Sequence, residues 1–447
     1  MKFSVISVVK NRLTNLPYPL GKLASYLPFT LRPGVGKVYS QRKVDIEVYA
    51  GLNEAQRKQF IFDRVKSLVL YAYENIPFYK ELYDSKDFKP NSLVKFEDIK
   101  RIPVICKADL KNYRIDERVN PSISSYLENT GGSSGNPLEL MIEPSSVGHE
   151  WAHMHNVWGK LGFKPSDLRI VFSGRSTIKD VVQYDSARHQ LNVDIYAGWQ
   201  VVADKLLETF SRYKPNYLHG YPSAIFDFVL WLESKQHPLL ETLKDNIDGM
   251  MLGSEFPNPS LRDKVENLLS CESVSWYGHT ERCVLAYESE EKQVYKPFPT
   301  YGYAEAVDVE GEVKLVATSY YNYAHPLIRY NTEDGIEPLN NHLILDSFTI
   351  SKGRDGDFIL DQGGNKIFLT GLIFGRHHKL FDYCTNLQVY QNEPGHALIL
   401  YVPRVGFEGE PEELFDVSSV ALEFSFGEIA EPYKTKSGKT PLLVKEL

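Results

Sequence analysis

From Tyr126 onward the chain alternates short apolar runs with helical sequence, and this alternation restricts its fold more than any other feature. Leu168-Arg169-Ile170-Val171-Phe172 and Met250-Met251-Leu252 are two such runs, each followed by Gly or Ser and then polar or helical residues. Strand-length segments separated by helices favour an α/β sheet architecture.

Upstream, residues 54–73 carry Phe60, Ile61, Val65, Leu68, Val69 and Ala72 near helical spacing. Ile76-Pro77-Phe78-Tyr79 ends that helix, because the position before proline avoids the helical region. Residues 1–110 read as a helical leading segment. Downstream, residues 312–317, 326–330, 343–345 and 357–360 read as antiparallel strands joined by turns. Past Arg354 the composition suits a compact α+β unit, with residues 387–391 and 397–402 as a hairpin turned by Asn392-Glu393-Pro394-Gly395. A boundary at Gly353-Arg354 divides a large domain, 1–353, from a small one, 354–447.

A length of 447 residues accommodates a large domain with a smaller companion. Hydrophobic residues at 43% and charged residues at 24% are ordinary for globular proteins and exclude collagen-like, disordered and coiled-coil chains. The formal charge of −8 argues against a surface that coats nucleic acid. Cys106, Cys271, Cys283 and Cys384 lie far apart with no C-x-x-C pair, against a disulfide framework or structural zinc and in favour of a reducing compartment, the cytoplasm. No run approaches the ~20 apolar residues of a spanning helix. The segment through Leu27, with Lys2, Lys10, Arg12 and Lys22 among Leu, Tyr and Phe, suits docking onto the rest of the chain better than rest on the inner face of a membrane.

The most informative window is Thr130-Gly131-Gly132-Ser133-Ser134-Gly135-Asn136-Pro137, ahead of a strand-like Leu138-Glu139-Leu140-Met141-Ile142. Glycines let backbone N–H groups converge and hydroxyls add donors, which together make a nest for an anion such as a polyphosphate. Alone, such a stretch is far more often a flexible turn. It lacks the G-K-[ST] ending of a P-loop.

Further signals follow in order: Gly253-Ser254-Glu255; Trp276-Tyr277-Gly278-His279-Thr280-Glu281; His325-Pro326-Leu327-Ile328-Arg329-Tyr330-Asn331-Thr332-Glu333-Asp334; Gly353-Arg354-Asp355-Gly356-Asp357; and Thr435-Lys436-Ser437-Gly438-Lys439. With these the chain resembles the adenylate-forming superfamily of acyl-CoA synthetases and adenylation domains. It is most similar to the branch of phenylacetate-CoA ligase and its CapK-type capsule-biosynthesis relatives. Residues 71–79 (Tyr-Ala-Tyr-Glu-Asn-Ile-Pro-Phe-Tyr), Ile102-Pro103-Val104 and His219-Gly220-Tyr221-Pro222-Ser223-Ala224 resemble that branch in particular.

The resemblance implies a large N-terminal domain of packed sheets and helices, a small mobile C-terminal lid, and ATP with Mg²⁺ as ligands. By it, Thr130, Ser133, Ser134 and Gly135 grip the β- and γ-phosphates. Gly253, Ser254 and Glu255 line the adenine pocket, Glu255 being equally readable as a charge at the start of the helix that follows. Tyr277 offers a face to adenine beside Gly278, Thr280 a hydroxyl to the α-phosphate, and Glu281 an oxygen to the metal. Asp334 takes the ribose hydroxyls, Arg354 reaches the nucleotide from the hinge, and Lys439 swings in to neutralise charge during adenylation. Gly131 stands where relatives often have Ser, Leu138 where many have Lys, and Gly356 where many have a hinge Asp or Lys.

The implied reaction joins a small carboxylic acid (sugar acid, aromatic acid or amino acid) to AMP, releases pyrophosphate, and passes the acyl group to an amine or thiol, in surface polysaccharide biosynthesis. Coenzyme A ligation of an aromatic acid, transfer of AMP itself, and a nucleotide-binding module without chemistry are the alternatives. Trp151, His153, His155, His219 and Tyr221 lie where the family places substrate contacts, and each is also readable as core. Adjacent His377 and His378 would point apart and cannot share a metal.

Overall fold

The computed structural model describes residues 15–32, 35–130, 138–174, 178–340, 344–350, 357–369, 372–373, 376, 378–404, 406–418, 420–433 and 441–447. The leading segment is helical: α1 (Tyr18–Ser25), α2 (Gly36–Ala50), α3 (Glu54–Asn75), α4 (Pro77–Ser85) and the short α5 (Lys107–Lys111). α3 starts at a reciprocal cap, Asn53 accepting from the Gln56 N–H and Gln56 from the Asn53 N–H, each at 3.0 Å. It buries Ile61, Val65, Leu68, Val69 and Ala72 of the periodic set expected from the sequence, with Phe62 buried as well and Phe60 only half-buried. Pro77 ends α3 and at once starts α4, since a missing N–H costs nothing at a helix N-terminus.

The hairpin β1 (Tyr126–Asn129) and β2 (Glu139–Ile142) brackets residues 131–137, which lie outside the described residues. After α6 (Ser146–Trp158) come β3 (Arg169–Phe172), β4 (Val182–Asp185), β5 (Gln190–Val193), α7 (Trp199–Phe210), β6 (Tyr217–Gly220), α8 (Pro222–Lys235), α9 (Leu239–Asn246), β7 (Gly249–Leu252), α10 (Pro259–Leu269) and β8 (Glu272–Gly278). β9 (Leu285–Glu288), β10 (Tyr295–Pro297), β11 (Gly302–Val309), β12 (Glu312–Ser319), β13 (Tyr330–Pro338) and β14 (Phe348–Ile350) complete a twelve-stranded hydrogen-bonded run, in the order β11-β12-β13-β14-β10-β9-β8-β7-β6-β3-β5-β4. β5, β3, β6, β7 and the first half of β8 pair in parallel. From Trp276 onward β8 pairs antiparallel with β9. Helices α7 to α10 bury apolar faces with the parallel strands in one cluster, and α3, α4 and α5 of the leading segment pack with the antiparallel strands in another.

Two expected strands are corrected. Residues 326–330 do not form one, and β13 begins only at Tyr330. Pro326 has no N–H to give a ladder, and Arg329 sits at φ 46°, so the segment bonds to its neighbours instead: the Tyr79 hydroxyl donates to the Pro326 carbonyl and accepts from the Ile328 N–H. The Arg329 guanidinium is buried against Glu305 at 2.9 Å and donates to the carbonyls of Lys100 and Ile102, which fastens the leading segment to β11. Of residues 343–345, Leu343 lies outside the described residues and Ile344 and Leu345 are not strand; Leu345 is buried in the core of the antiparallel half, and the strand comes later, at β14.

Beyond, β15 (Phe358–Leu360) pairs with β16 (Lys366–Phe368), and β17 (Cys384–Tyr390), β18 (His396–Pro403), α11 (Pro411–Leu414), β19 (Glu423–Glu428) and β20 (Leu443–Val444) build a small α+β unit whose sheet order is β19-β18-β17-β20. The expected boundary at Gly353-Arg354 lies outside the described residues. The small unit touches the hairpin that brackets the loop: Asn129 donates to Asp382 at 3.3 Å, and Arg404 lies 3.6 Å from Glu139. His378 is a core histidine of this unit, its Nε2 donating to the Leu372 carbonyl, its Nδ1 accepting from the Asp416 N–H, and its ring stacked on Phe415.

Candidate active site

Ligands of open parallel sheets gather at the carboxyl ends of the strands. Here the ends of the adjacent parallel strands β6, β7 and β8 carry His219-Gly220-Tyr221-Pro222, Gly253-Ser254-Glu255 and Tyr277-Gly278-His279-Thr280-Glu281, so motifs far apart in sequence lie side by side. The Gly253 N–H donates to the Gly220 carbonyl at 3.1 Å. Gly220, at φ 143°, has no room for a side chain, since a Cβ there would stand 2.0 Å from the Phe172 carbonyl oxygen. A Cβ on Gly253 would meet the Trp276 indole at 2.2 Å, and Ser254 follows at φ 71°. The turn is therefore close-packed and held in a strained backbone conformation.

Glu255 is buried, and its carboxylate accepts from the Ser223 N–H at 3.1 Å. It thus caps the start of α8, not the helix that follows it; α10 is capped by Asn258, whose side chain accepts from the Leu261 N–H. A carboxylate at a helix N-terminus is favoured by the dipole.

β8 changes from parallel to antiparallel pairing between Ser275 and Trp276, and Tyr277 lies just past that point. Its hydroxyl donates to Asp334 on β13 at 2.6 Å. Burial and the neighbouring Asp334 push the phenol well above its ordinary pKa, so it stays a donor. Thr280 and Glu281 occupy a turn closed by the Arg282 N–H on the His279 carbonyl, with Arg282 at φ 53°. His279 lies 3.2 Å from Glu281. Burial opposes charge on the imidazole, but Cys283 and Glu281 outweigh it and raise its pKa well above the usual value; burial would raise Glu281, yet His279 draws it down. Both shifts favour the charged form of the pair, an imidazolium beside a carboxylate. The Tyr330 hydroxyl lies 3.5 Å from the other Glu281 oxygen, which links this turn to the strand bearing Asp334.

Thr130 is buried at the neck of the loop: its N–H donates to the Leu138 carbonyl, and its hydroxyl oxygen accepts from the Leu138 N–H at 2.8 Å. Leu138 itself is fully buried in the core, where a lysine would have to bury its charge. Ser133, Ser134, Gly135, Arg354 and Lys439 lie outside the described residues. The structure therefore brings Gly253, Ser254 and Glu255 together beside β6, and links the end of β8 and the turn after it, with Tyr277, Gly278, Thr280 and Glu281, to Asp334 on β13 through the Tyr277–Asp334 and Tyr330–Glu281 side-chain contacts.

Sequence reasoning missed two residues. Ile105 bridges in parallel to Tyr330, with its N–H on the Arg329 carbonyl and its carbonyl taking the Asn331 N–H, and this carries Lys107 close enough to Glu281 and Glu333 to act on both carboxylates. Lys111, one turn on, is pushed down to about 8 by burial and by the neighbouring Lys107 and Arg404. Arg282 is the second: it donates to Ser146 on α6 and to Glu128 on β1. No periodicity marks either residue.

Of the aromatic candidates for an acyl pocket, His153 is a core residue with both ring nitrogens engaged, by the His149 carbonyl and the Thr300 hydroxyl. His155 bonds Tyr39 at 3.0 Å inside an aromatic cluster with Phe29 and Trp151. His219 stands between Trp158 and Trp276 at the end of β6, and Tyr221 precedes α8.

No protein-family profile matches the chain. Protein CapK of Staphylococcus aureus is 20% identical over 417 residues, covering 88% of this chain and 89% of that protein. A phenylacetate-coenzyme A ligase of Thermus thermophilus is 41% identical over 290 residues, 61% of this chain and 63% of the ligase. Among solved structures, an open conformation of 2-hydroxyisobutyryl-CoA ligase with its acyl-AMP and CoA aligns at TM-score 0.51 and 16% identity, over 88% of this chain and 93% of that one, and shares the fold.

Proposed function

We propose, because the chain belongs to the adenylate-forming superfamily in its phenylacetate-CoA ligase-like branch, that it activates a small carboxylic acid with ATP and hands the acyl group to an amine or thiol. It is an AMP-forming acid ligase. A carboxylate oxygen attacks the α-phosphorus, the bond to the bridging oxygen breaks, and pyrophosphate leaves; the acceptor then attacks the acyl carbon and AMP leaves.

The observation that carries this reading is the Tyr277–Asp334 hydrogen bond at the point where the sheet changes pairing. It holds an aromatic ring and a carboxylate together, as a nucleoside requires. Asp334 retains acceptor capacity for two ribose hydroxyls. Glu281, ionised beside His279, has the hard oxygen chemistry a Mg²⁺ ion prefers, and such an ion would take its remaining ligands from phosphate and water. It would screen the triphosphate while the acid approaches. Since Leu138 leaves the loop without a cation, Lys107 supplies positive charge from α5, joined by Arg354 and Lys439 from the small domain. Ser133, Ser134 and Gly135 complete the phosphate grip by resemblance.

Relatives that are phenylacetate-coenzyme A ligases support a thiol acceptor. The likeness to Protein CapK is in keeping with the resemblance to capsule-type relatives, which suggests a saccharide or amino-acid substrate and a place in surface polysaccharide biosynthesis. Uronic, aromatic and amino acids should be screened for AMP release, with coenzyme A or amines added, and the conjugate read by mass spectrometry. Lys439→Ala should abolish acid-dependent pyrophosphate exchange and leave ATP binding intact. Absence of AMP with every acid, in a protein that binds ATP, would leave only a binding module.

A further inference from the structure

Helix α1 is docked with its small face inward. Tyr18 lies edge-on to Tyr184 and Tyr213, at 5.3 and 4.4 Å, and Gly21 and Ser25 are buried beside it. The approach is tight, since a Cβ on Gly21 would stand 2.3 Å from the Tyr184 hydroxyl. The ends are pinned as well: the Leu16 N–H donates to the Ser186 hydroxyl, and Arg32 donates to the Ala187 carbonyl. The segment is thus attached to the domain, as a docking segment would be.

Its apolar side chains nevertheless face solvent. Leu20, Leu23 and Leu27 are 54%, 69% and 59% exposed, and Tyr26 and Leu31 are 63% and 71% exposed. Leu20 and Leu23, three positions apart on α1, lie on the side away from the buried Gly21 and Ser25, and the exposed Tyr26 and Leu27 follow just past the helix end. Had packing on the domain been its sole task, the leucines would be inside; the reverse orientation is that of a surface held ready for an apolar medium.

Charge decides what that medium is. Every charged residue before Asp45 is Lys or Arg, in a chain whose formal charge is −8. Lys22, within the helix, and Lys37 and Lys43 beyond it are exposed. Two copies meeting through this face would bring cation against cation. An anionic bilayer takes the leucines into its acyl boundary and the cations at its headgroups, with Tyr26 suited to the level between. Among the described residues no helix is long and apolar enough to cross a membrane.

We propose that the exposed apolar side chains of α1 and of the turn after it, with the exposed Lys22 among them, are a docking surface for an anionic lipid bilayer, on which the enzyme lies without spanning it. The full chain should co-sediment with vesicles of seven parts phosphatidylcholine to three of phosphatidylglycerol, about tenfold better than with phosphatidylcholine alone, and less well as salt rises. Leu23→Ser combined with Leu27→Ser should weaken that binding by about tenfold or more, and Lys22→Glu should weaken it too, with melting temperature and AMP release in solution unchanged. Equal sedimentation of the double variant, or no sedimentation with either vesicle, overturns the proposal. So does a dimer on gel filtration without lipid that the double variant dissolves, which would give the face to a second copy.

Discussion

Arg282, the residue after Glu281, reaches back 154 positions to pair with Glu128 on β1 at 3.2 Å. The turn bearing Thr280 and Glu281 is thereby fixed to the hairpin that brackets residues 131–137, with Ser146 as a second anchor at 2.9 Å. Two segments proposed to act on one triphosphate are tied together by this pair.

Loosening the pair should cost rate more than binding. Arg282→Ala should lower kcat for AMP release by about tenfold to a hundredfold, since small misplacements of reacting groups are amplified in the rate. Glu128→Gln should cost less, and Arg282→Lys should restore part of the loss. Steady-state AMP release at saturating ATP, with a parallel thermal melt, reads this; an unchanged kcat in Arg282→Ala would remove the positioning role.

The Tyr277 hydroxyl and Asp334 form one unit. Tyr277→Phe keeps the ring and removes the donor, and should weaken ATP binding by about fivefold. Asp334→Asn should cost more, because it also alters the group offered to the ribose. In the double variant the losses should fall short of additive, as they do for residues in direct contact. Calorimetric titration of all four proteins checks this, and strict additivity would separate the two residues.

Much of this site was legible because its signals are local. The helix over residues 54–73 and the strands at 168–172 and 250–252 follow from spacing alone, and Gly253 and Tyr277 stand in compact motifs at strand ends. What was hidden depends on partners distant in the chain. Arg329 draws residues 326–330 out of strand geometry by bonding Glu305 and the Lys100 and Ile102 carbonyls. Glu255 precedes one helix but caps another, because β6 and β7 end side by side. Lys107 comes near Glu281 only through the pairing of Ile105 with Tyr330. Pattern reading sees periodicity along the chain, and none of these three relationships is periodic.

Lys107 offers a test of where the triphosphate finds its charge. Lys107→Ala should raise the dissociation constant for ATP by about tenfold while AMP binding changes little, since a charge-assisted contact to the outer phosphates is lost. Lys107→Arg should retain most of the affinity. Equal losses for ATP and AMP would place the residue at the nucleoside instead.

Acid should weaken the fold through buried histidines. His153 has no exposed surface, and burial holds its pKa down at about 3, against about 6.5 in an unfolded chain. Its depressed folded value means that the neutral ring is the native form, so its contribution to stability is full above the unfolded pKa and declines as pH falls from about 6.5 toward 3, where the unfolded chain takes up a proton that the native chain refuses. Between pH 7.5 and 5.0 that loss amounts to about 2 kcal/mol for this residue. His325, held down at about 3 by burial and by Arg118, acts in the same direction. His153→Gln keeps a neutral polar side chain that does not titrate, so its unfolding free energy should change less across that range than the wild type's, by about 2 kcal/mol, even if it is less stable at pH 7.5. Urea unfolding of both proteins at the two pH values measures the difference; equal pH dependence would mean that the native fold does not depress the pKa of His153.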